Sequence, residues 1–351
     1  MMQQFDTLTL AIPKKAIKGV NKAKFVYKPQ TDCSSGATTE LYQLKASECP
    51  TGISKLSWVP DADILLTYSA KVLKDDYLTG INKDNWYRGI EVISDIAEID
   101  TDIVYNSALI HRADSTNNLL LSEIGADSKS IYTSLLASKG NIRFKDVVYN
   151  SKNKEGIEFR GMQQEKNRMI VYRKHLDLLK SANKEFLKSL NNATNVYELA
   201  QKQIRFEVNH TSFKSLRSRF NVETNSLKNL LNSSAPVNHN FLQKIINTKD
   251  IKQTNLFDEF LLFKDYKSFI EFKGLQTIIR ELNYNDSTIK NFLQSIIGNN
   301  ETFKSLWYGK RRKYSIKELV NNLQSENYKT IPMNSDSITN KILAELLKAV
   351  A

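Results

Sequence analysis

Short runs in which apolar and polar residues alternate recur through the first 212 residues, and they require a β-sheet as the framework of the chain. In the clearest run, the apolar residues Phe5, Leu8, Leu10 and Ile12 are separated by polar residues up to Pro13. Side chains on a strand alternate between the two faces of a sheet, and proline cannot donate to the hydrogen-bond ladder. This run therefore predicts a strand that ends at Pro13. Five further segments have strand character: Ile64–Ala70, Ile103–Ile110, Ile157–Phe159, Arg168–Tyr172 and Gln203–Asn209.

Helical spacing of the apolar residues dominates the rest of the chain. We expect a helix over at least part of Asn117–Ala137, and short hairpin strands and loops over Gln30–Gly52. After Phe213 nearly every segment has the pattern of an amphipathic helix. The sequence thus predicts an α+β fold with an N-terminal domain, residues 1–212, built on an antiparallel or mixed sheet with helices. A mainly helical C-terminal domain follows over residues 213–351.

The charge balance favours a polyanionic partner. Lys and Arg number 50 against 38 Asp and Glu, which gives a net charge of +12, while 41% hydrophobic residues suffice for a folded core. The alternative is a basic protein that binds nothing specific. Two cysteines and four histidines argue against a disulfide framework or a thiolate metal site. No apolar stretch has membrane-spanning length and the start lacks a secretory pattern, so we expect a protein of a reducing compartment without membrane contact.

The segment around His111 carries the first candidate chemistry. Arg112 and Asp114 lie two residues apart on a predicted strand and therefore project from the same face. One side chain could contact a phosphate while the other holds a cation. The alternative is an ordinary Arg–Asp surface pair.

A tyrosine followed at once by cations, an imidazole and a carboxylate forms the second candidate. Tyr172 ends a predicted strand and precedes Arg173, Lys174, His175 and Asp177. A phenol with a pKa near 10 needs positive charge or a base before it can act as a nucleophile. Lys174 and Arg173 could supply the charge, and His175 could take the proton. The alternative is a strand-end tyrosine packed on the core.

A third candidate lies on the last predicted strand. Arg205 and Glu207 share one face of it, while Phe206 between them points into the core. Together with Asp114 and Asp177, Glu207 would form an oxygen-rich donor set suited to Mg²⁺ or Mn²⁺. The alternative is an ion pair within the sheet.

Four segments resemble those of a known family in their residues and in their order along the chain. The matching residues are Tyr68–Leu73, then Arg112, Asp114 and Thr116, then Tyr172, Lys174, His175, Asp177 and Leu178, and finally Arg205, Phe206 and Glu207. Over roughly residues 5–220 the chain resembles the gene II/X-type rolling-circle replication initiators of filamentous phages. It departs from the family at Asp177, where the family has glutamate. It also lacks the His-hydrophobic-His metal motif of many rolling-circle nucleases.

The resemblance implies a catalytic nicking and joining domain over residues 1–212. Tyr172 would cut one strand of an origin, remain linked to its 5′ end as a phosphotyrosine, and later allow the displaced strand to be rejoined. Lys174 would stabilise the tyrosinate or the phosphorane, and His175 would be a base or a metal ligand. Asp114, Glu207 and, more weakly, Asp177 would hold Mg²⁺ or Mn²⁺.

DNA contacts are predicted in both domains. The candidates are the cations Lys71, Arg112, Arg173, Arg205, Lys310, Arg311, Arg312 and Lys313, the last four within the aromatic-rich run Trp307–Tyr314. The expected partners are double-stranded origin DNA, single-stranded DNA, and the helicase and replication machinery of a bacterial host, in whose cytoplasm the protein would act. A phage and a plasmid origin both stay open. The main alternative is a non-catalytic origin-binding protein or repressor.

Overall fold

A computed structural model describes residues 3–31, 34, 38–138, 144–149, 156–161, 168–246 and 335–350, and single positions at 269, 278 and 292. Its architecture is mixed α+β around a large antiparallel sheet, as predicted. The strands are β1 Phe5–Ile12, β2 Ile17–Val20, β3 Phe25–Tyr27, β4 Gln30–Thr31, β5 Thr38–Thr39, β6 Tyr42–Leu44, β7 Ile53–Trp58, β8 Ile64–Ser69, β9 Ala97–Ile99, β10 Leu109–Leu120, β11 Phe144–Tyr149, β12 Gly156–Gly161, β13 Arg168–Tyr172 and β14 Gln203–His210.

Ten of these strands form the main sheet, in the order β11-β12-β13-β14-β10-β1-β8-β7-β6-β3. All of their described pairings are antiparallel. The order places β13, β14, β10 and β1 side by side, although they come from distant parts of the sequence. The three segments singled out for chemistry therefore meet in the centre of one sheet. Two small two-stranded sheets, β2–β9 and β4–β5, lie outside it.

Helices connect and cover the strands. They are α1 Arg88–Glu91, α2 Thr101–Ser107, α3 Leu121–Ile124, α4 Ser128–Ser138, α5 Lys174–Leu178, α6 Lys184–Lys188, α7 Ala193–Gln201, α8 Phe213–Phe220, α9 Leu227–Leu231, α10 Val237–Ile245 and α11 Ser335–Val350. A 3-10 helical segment, Ala70–Thr79, follows β8. Leu216 of α8 and Leu227 of α9 are buried in the same hydrophobic cluster as Leu8 and Leu10 of β1. The division at residue 212 remains a prediction.

The two faces of the central sheet differ in chemistry. Phe206, Val208 and Met169 belong to a hydrophobic core, which excludes water from one face. On the other face, Asn209 of β14 is paired with Asp114 of β10, and Arg168 of β13 donates a hydrogen bond to Asn209. This alternation along β14 agrees with the prediction that Phe206 points into the core. The polar face holds the candidate functional site.

One predicted strand is wrong. Most of Ile103–Ile110 is helical, because Asp100 caps α2 by accepting hydrogen bonds from the backbone amides of Asp102 and Ile103. The following strand, β10, is correspondingly longer than expected and runs on to Leu120. The predicted helix over Asn117–Ala137 is therefore confirmed only from Leu121 onward, in α3 and α4. The predicted strands beginning at Phe5, Ile64, Ile157, Arg168 and Gln203 are confirmed.

Candidate active site

The hydroxyl of Tyr172 lies between a carboxylate and an ammonium group. It donates a hydrogen bond to Glu207 Oε2 at 3.0 Å, and Lys174 Nζ donates to the same phenolic oxygen at 3.1 Å. Pairing of β13 with β14 sets Ile170 opposite Glu207 and Tyr172 opposite Arg205, which brings the carboxylate to the tyrosine. Lys174 begins α5 directly after the strand. The structure thus places a base and a cation on one phenol.

A second carboxylate, Asp6, holds the cations of this cluster. Lys174 Nζ lies 3.4 Å from Asp6 Oδ1 and 3.0 Å from Asp177 Oδ2. Arg205 contacts Asp6 through Nη1 and donates from Nε to Asn118 Oδ1 at 2.7 Å. Sequence reasoning missed Asp6, because it lies in the opening strand, 168 positions before Lys174 and 199 positions before Arg205. The only sequence signal was a carboxylate in a strand whose other polar residues are threonines.

Electrostatics keep the phenol neutral and the amine charged. Burial, reinforced by the Glu207 carboxylate, raises the pKa of Tyr172 above its usual range despite the nearby Lys174. Burial and the nearby Arg205 lower the pKa of Lys174. Attraction to the Asp6 carboxylate outweighs both, so the pKa of Lys174 lies above its usual range. Tyr172 is therefore a phenol that can give up its proton only to a neighbouring base.

Glu207 has the pKa of such a base. Burial, followed by repulsion from Asp6 and Asp114, raises its pKa to about 7. A carboxyl whose pKa is raised towards neutrality is suited to exchange a proton with a neighbouring hydroxyl. The sequence predicted Glu207 as a metal ligand; in the structure its carboxylate accepts a hydrogen bond from the Tyr172 hydroxyl.

A hydrogen-bonded row of arginines and carboxylates crosses the polar face beside this cluster. Arg112 Nη2 binds Asp114 Oδ2 at 2.7 Å, and Asn209 Nδ2 donates to Asp114 Oδ1 at 2.7 Å. Asn209 in turn accepts from Arg168, and Arg168 shares Glu158 with Arg160. The carboxylates are buried, whereas the side chains of the three arginines are 35–44% exposed. We call Arg112, Arg160 and Arg168 the arginine row.

The arginine row was only partly foreseen. Arg112 and Asp114 were expected to share one face of a strand, and the ion pair that was the alternative reading of this segment is observed between them. Arg160 and Arg168 were not identified, because nothing in the sequence shows that β12 and β13 lie beside β14. Burial raises the pKa of Asp114 even though Arg112 and Asn209 oppose the shift.

The remaining predicted residues among those described are His175, Arg173 and Lys71. The His175 ring packs edge-to-face on Tyr197, with centroids 5.9 Å apart, and its Nδ1 is buried without a hydrogen-bond partner among the described residues. Burial and Arg173 lower the pKa of His175. Arg173 is the N-cap residue of α5, and Lys71 is half-buried above the Phe186 ring.

Two predicted DNA contacts need separate comment. Arg205 is fully buried and its described polar contacts are with Asp6 and Asn118, so it holds a structural carboxylate, and its contact with a phosphate stays a prediction. Its guanidinium is enclosed because the strand carries it into the space under Tyr77. The predicted cations Lys310, Arg311, Arg312 and Lys313 lie outside the described residues.

The predicted metal ligands do not fit a divalent cation in this arrangement. Asp114 is held by Arg112 and Asn209, Glu207 accepts from Tyr172, and Asp177 lies between two lysines that lower its pKa despite burial. Among the described residues no three His, Cys, Asp or Glu side chains gather as a ligand set. Each carboxylate is already neutralised or hydrogen-bonded by protein groups. The need for Mg²⁺ or Mn²⁺ stays a prediction.

Comparison with known protein families, curated proteins and solved structures finds no match to this chain. Over the part of the chain that the structure describes, none of the helices has the length and apolar character needed to span a bilayer.

Proposed function

We propose that this protein is a rolling-circle replication initiator that nicks one strand of an origin with Tyr172 as the nucleophile. The observation that carries the proposal is the phenolic oxygen of Tyr172, which lies 3.0 Å from the Glu207 carboxylate and 3.1 Å from the Lys174 ammonium. An activated nucleophile needs a base for its proton and a cation for its developing charge. The two neighbours supply both.

The cleavage step uses these groups directly. The Tyr172 oxygen attacks the scissile phosphorus, a bond from that oxygen to phosphorus forms, and the phenolic proton passes to Glu207. The bond from phosphorus to the 3′ oxygen breaks, and that oxygen takes a proton from water. One phosphodiester replaces another, so a later attack by a free 3′-hydroxyl can rejoin the strand without a nucleotide cofactor. Lys174 stabilises the negative charge that develops on the phenolic oxygen.

The arginine row is suited to holding the phosphates beside the scissile one. Each of its three guanidiniums is fixed on a buried carboxylate and still partly exposed. Asn209, which is hydrogen-bonded to Arg168 and Asp114, follows Glu207 by two residues on the same face of β14. Side chains with this spacing on a strand lie about 7 Å apart. This matches the spacing of phosphates along an extended single strand. Side chains held in place lose little entropy when a ligand binds.

One observation favours the second candidate, a non-catalytic origin-binding protein. The Tyr172 side chain is only 3% exposed, so a scissile phosphate reaches its oxygen only if the covering residues move. A binder would keep the arginine row and need no accessible phenol.

Trapping of a covalent protein–DNA adduct separates the two functions. The full-length protein is incubated with a pool of random-sequence single-stranded oligonucleotides, with and without Mg²⁺ or Mn²⁺, and adducts are separated under denaturing conditions. Wild type should form an adduct and Tyr172→Phe should not. Tyr68→Phe is the matched control, since Tyr68 is equally buried but bonds the Trp86 carbonyl on the other side of the fold. Equal adduct yields from wild type and Tyr172→Phe would refute the assignment, and cutting by neither would favour the binder.

A further inference from the structure

The ring of Tyr77 lies against the two buried cations of the candidate site. Tyr77 belongs to the 3-10 segment Ala70–Thr79, and its ring centroid is 5.0 Å from Lys174 Nζ and 5.5 Å from the central guanidinium carbon of Arg205. The same Lys174 ammonium lies 5.3 Å from the centroid of the Tyr172 ring. The negative face of an aromatic ring attracts cations, so Tyr77 takes a place that an anion could also take.

Packing in the core accounts for only part of this arrangement. Tyr77 contacts Phe186 edge-to-face, with ring centroids 5.0 Å apart, as neighbouring core aromatics do. Core packing does not require two buried cations on the same ring. A ring carries no net charge, whereas a phosphodiester carries a full negative charge that can form ion pairs with both cations.

Arg205 has a spare hydrogen-bond donor at this position. Its Nε donates to Asn118 and its Nη1 to Asp6, but Nη2 is buried without a hydrogen-bond partner among the described residues. The whole side chain is fully buried. Because buried donors are nearly always satisfied, and because guanidinium donors fit phosphate oxygens, the spare donor indicates an anionic ligand beside Tyr77.

The charges of the cluster also favour an anion. In the described ion pairs three cations share two carboxylates, the cations being Lys174, Lys180 and Arg205 and the carboxylates Asp6 and Asp177. A third carboxylate, Glu207, accepts a hydrogen bond from the Tyr172 hydroxyl. Glu207 becomes neutral when it takes the phenolic proton, which leaves a positive charge for a phosphate.

The segment that carries Tyr77 has the features of a hinged cover. Lys74, before the ring, has φ +52° and ψ −119°, a conformation disfavoured for residues other than glycine, and Gly80, after it, has φ +71°. We call residues 75–79 the gate. An open cleft of about 720 Å³ borders the gate at Asp76 and Thr79, so the gate has room to move. Strained backbone of this kind is found at segments that change conformation.

We propose that Lys174 and Arg205 form the subsite for the scissile phosphodiester of single-stranded DNA, and that the Tyr77 ring occupies this subsite until DNA displaces it. The subsite rests on the proposed function, because it holds the phosphate that Tyr172 attacks. Entry of DNA exchanges two cation–π contacts for two ion pairs, one of them made through Arg205 Nη2. The closed gate accounts for the 3% exposure of Tyr172.

Oligonucleotide binding in a Tyr172→Phe background tests the subsite without cleavage. Fluorescence anisotropy is recorded on the full-length protein with a labelled, random-sequence, 12-nucleotide single strand of DNA. Addition of Tyr77→Leu keeps an apolar side chain but removes the π-face, so the gate opens more readily. We expect about 5-fold tighter binding, since apparent affinity rises with the open fraction. Further addition of Arg205→Lys keeps the charge but removes the Nη2 donor, and should weaken binding about 10-fold.

Tyr105→Leu is the matched control, because the Tyr105 ring also lies beside a lysine, 5.9 Å from Lys228 Nζ, but on α2. It should leave the affinity unchanged. A Tyr77→Leu protein that binds no more tightly than Tyr105→Leu would overturn the gated subsite. Displacement of the labelled DNA by an equal concentration of inorganic phosphate would identify a free-phosphate site and also overturn it.

Acetylation by N-acetylimidazole tests the gate without altering it. In the Tyr172→Phe protein, saturating oligonucleotide should speed acetylation of Tyr77, because its ring leaves the subsite, while Tyr68 stays protected. An unchanged rate at Tyr77 would contradict displacement of the gate. Both tests use a protein that cannot form the Tyr172 adduct. Their success with no adduct from wild type would refute nicking and leave the subsite standing, whereas their failure beside a wild-type adduct would refute the subsite alone.

Discussion

At the scale of single residues, the candidate site depends on buried charges that balance one another. Tyr172, Lys174 and Glu207 form a hydrogen-bonded group, and Asp6 with Arg205 completes the charge balance around it. Burial of charge is costly unless each ion has a partner. The removal of one partner should therefore have a far larger effect than a similar change at the surface.

Asp6→Asn tests this balance. It leaves Lys174 and Arg205 buried with less negative charge, so we expect the free energy of unfolding to fall by about 3–5 kcal/mol. Asp61→Asn is the control, because Asp61 pairs with Lys14 at an exposed position, where the loss of an ion pair has little effect on stability. Urea unfolding measures both. Equal losses would show that the Asp6 contacts are energetically trivial.

Glu207 predicts a pH dependence of stability with a definite sign. Its pKa is about 7 in the folded chain against an ordinary value of 4.5. Between these values the folded state binds one more proton than the unfolded state, so this group makes stability fall as pH rises from 4.5 to 7. Glu207→Gln removes the effect. The variant should therefore gain stability relative to wild type across this window, by up to about 1.4 kcal/mol per pH unit.

Urea unfolding of wild type and Glu207→Gln at several pH values between 4 and 8 provides the measurement. A difference in unfolding free energy that stays constant with pH would contradict the raised pKa, whatever its absolute size.

Part of this site could be predicted from the sequence, and the rest depends on how the strands pair. Tyr172 and Lys174 are two residues apart, so their proximity could be predicted from the strand end they share. The hydrogen bond between Tyr172 and Glu207 depends on the pairing of β13 with β14, which no local pattern specifies. Asp6 lies on β1, and only the sheet order brings it under Lys174.

At the scale of elements, the strands that carry the site must approach closely. Gly156 on β12 is paired with Tyr172, and a Cβ at position 156 would lie 2.1 Å from the Val171 carbonyl oxygen and 2.7 Å from Tyr172 Cα. Both contacts are with backbone, which cannot rotate away. The spacing between β12 and β13 thus requires glycine at this position.

Gly156→Ala should displace β13 and destabilise the fold by about 1–3 kcal/mol, the usual cost of overpacking. It should also lower adduct formation by Tyr172 if the proposed function holds. Gly19→Ala serves as the control, since a Cβ at position 19 meets nothing within 4 Å. Thermal and urea unfolding of both variants measure the effect. A Gly156→Ala protein as stable as Gly19→Ala would contradict the described strand spacing.

Element types were predicted best where the pattern was long and regular. The strand predicted over Gln203–Asn209 follows from its alternation of polar and apolar residues, and the strand at Arg168–Tyr172 from its run of apolar residues. The helix α2 was missed because its apolar residues mimic a strand, and its start depends on the single capping carboxylate of Asp100.

At the scale of the whole molecule, the helices after residue 212 are joined to the sheet that precedes them. Ser115 on β10 bonds both His210 and Asn238, and Gln3 donates to the carbonyls of Ser233 and Ala235. Phe220 of α8 also packs on Phe5 of β1, with centroids 5.7 Å apart. These contacts join the start of the chain and the main sheet to the segment that follows residue 212.

A fragment of residues 1–212 should therefore fail to fold cooperatively, because it exposes the buried faces that α8 and α9 cover. Circular dichroism during urea titration measures this, with the full-length chain as reference. A sharp unfolding transition in the fragment would instead support the predicted division at residue 212.

The proposed function requires that the phenolic oxygen of Tyr172 form a covalent bond to DNA. The most direct measurement is peptide mass spectrometry on a denatured protein–oligonucleotide adduct after nuclease trimming. We predict that the tryptic peptide containing Tyr172 carries a nucleotide joined through its 5′ phosphate, and that Tyr172→Phe yields no such peptide. A nucleotide attached to another residue, or strand cleavage with no attached nucleotide, would contradict the account.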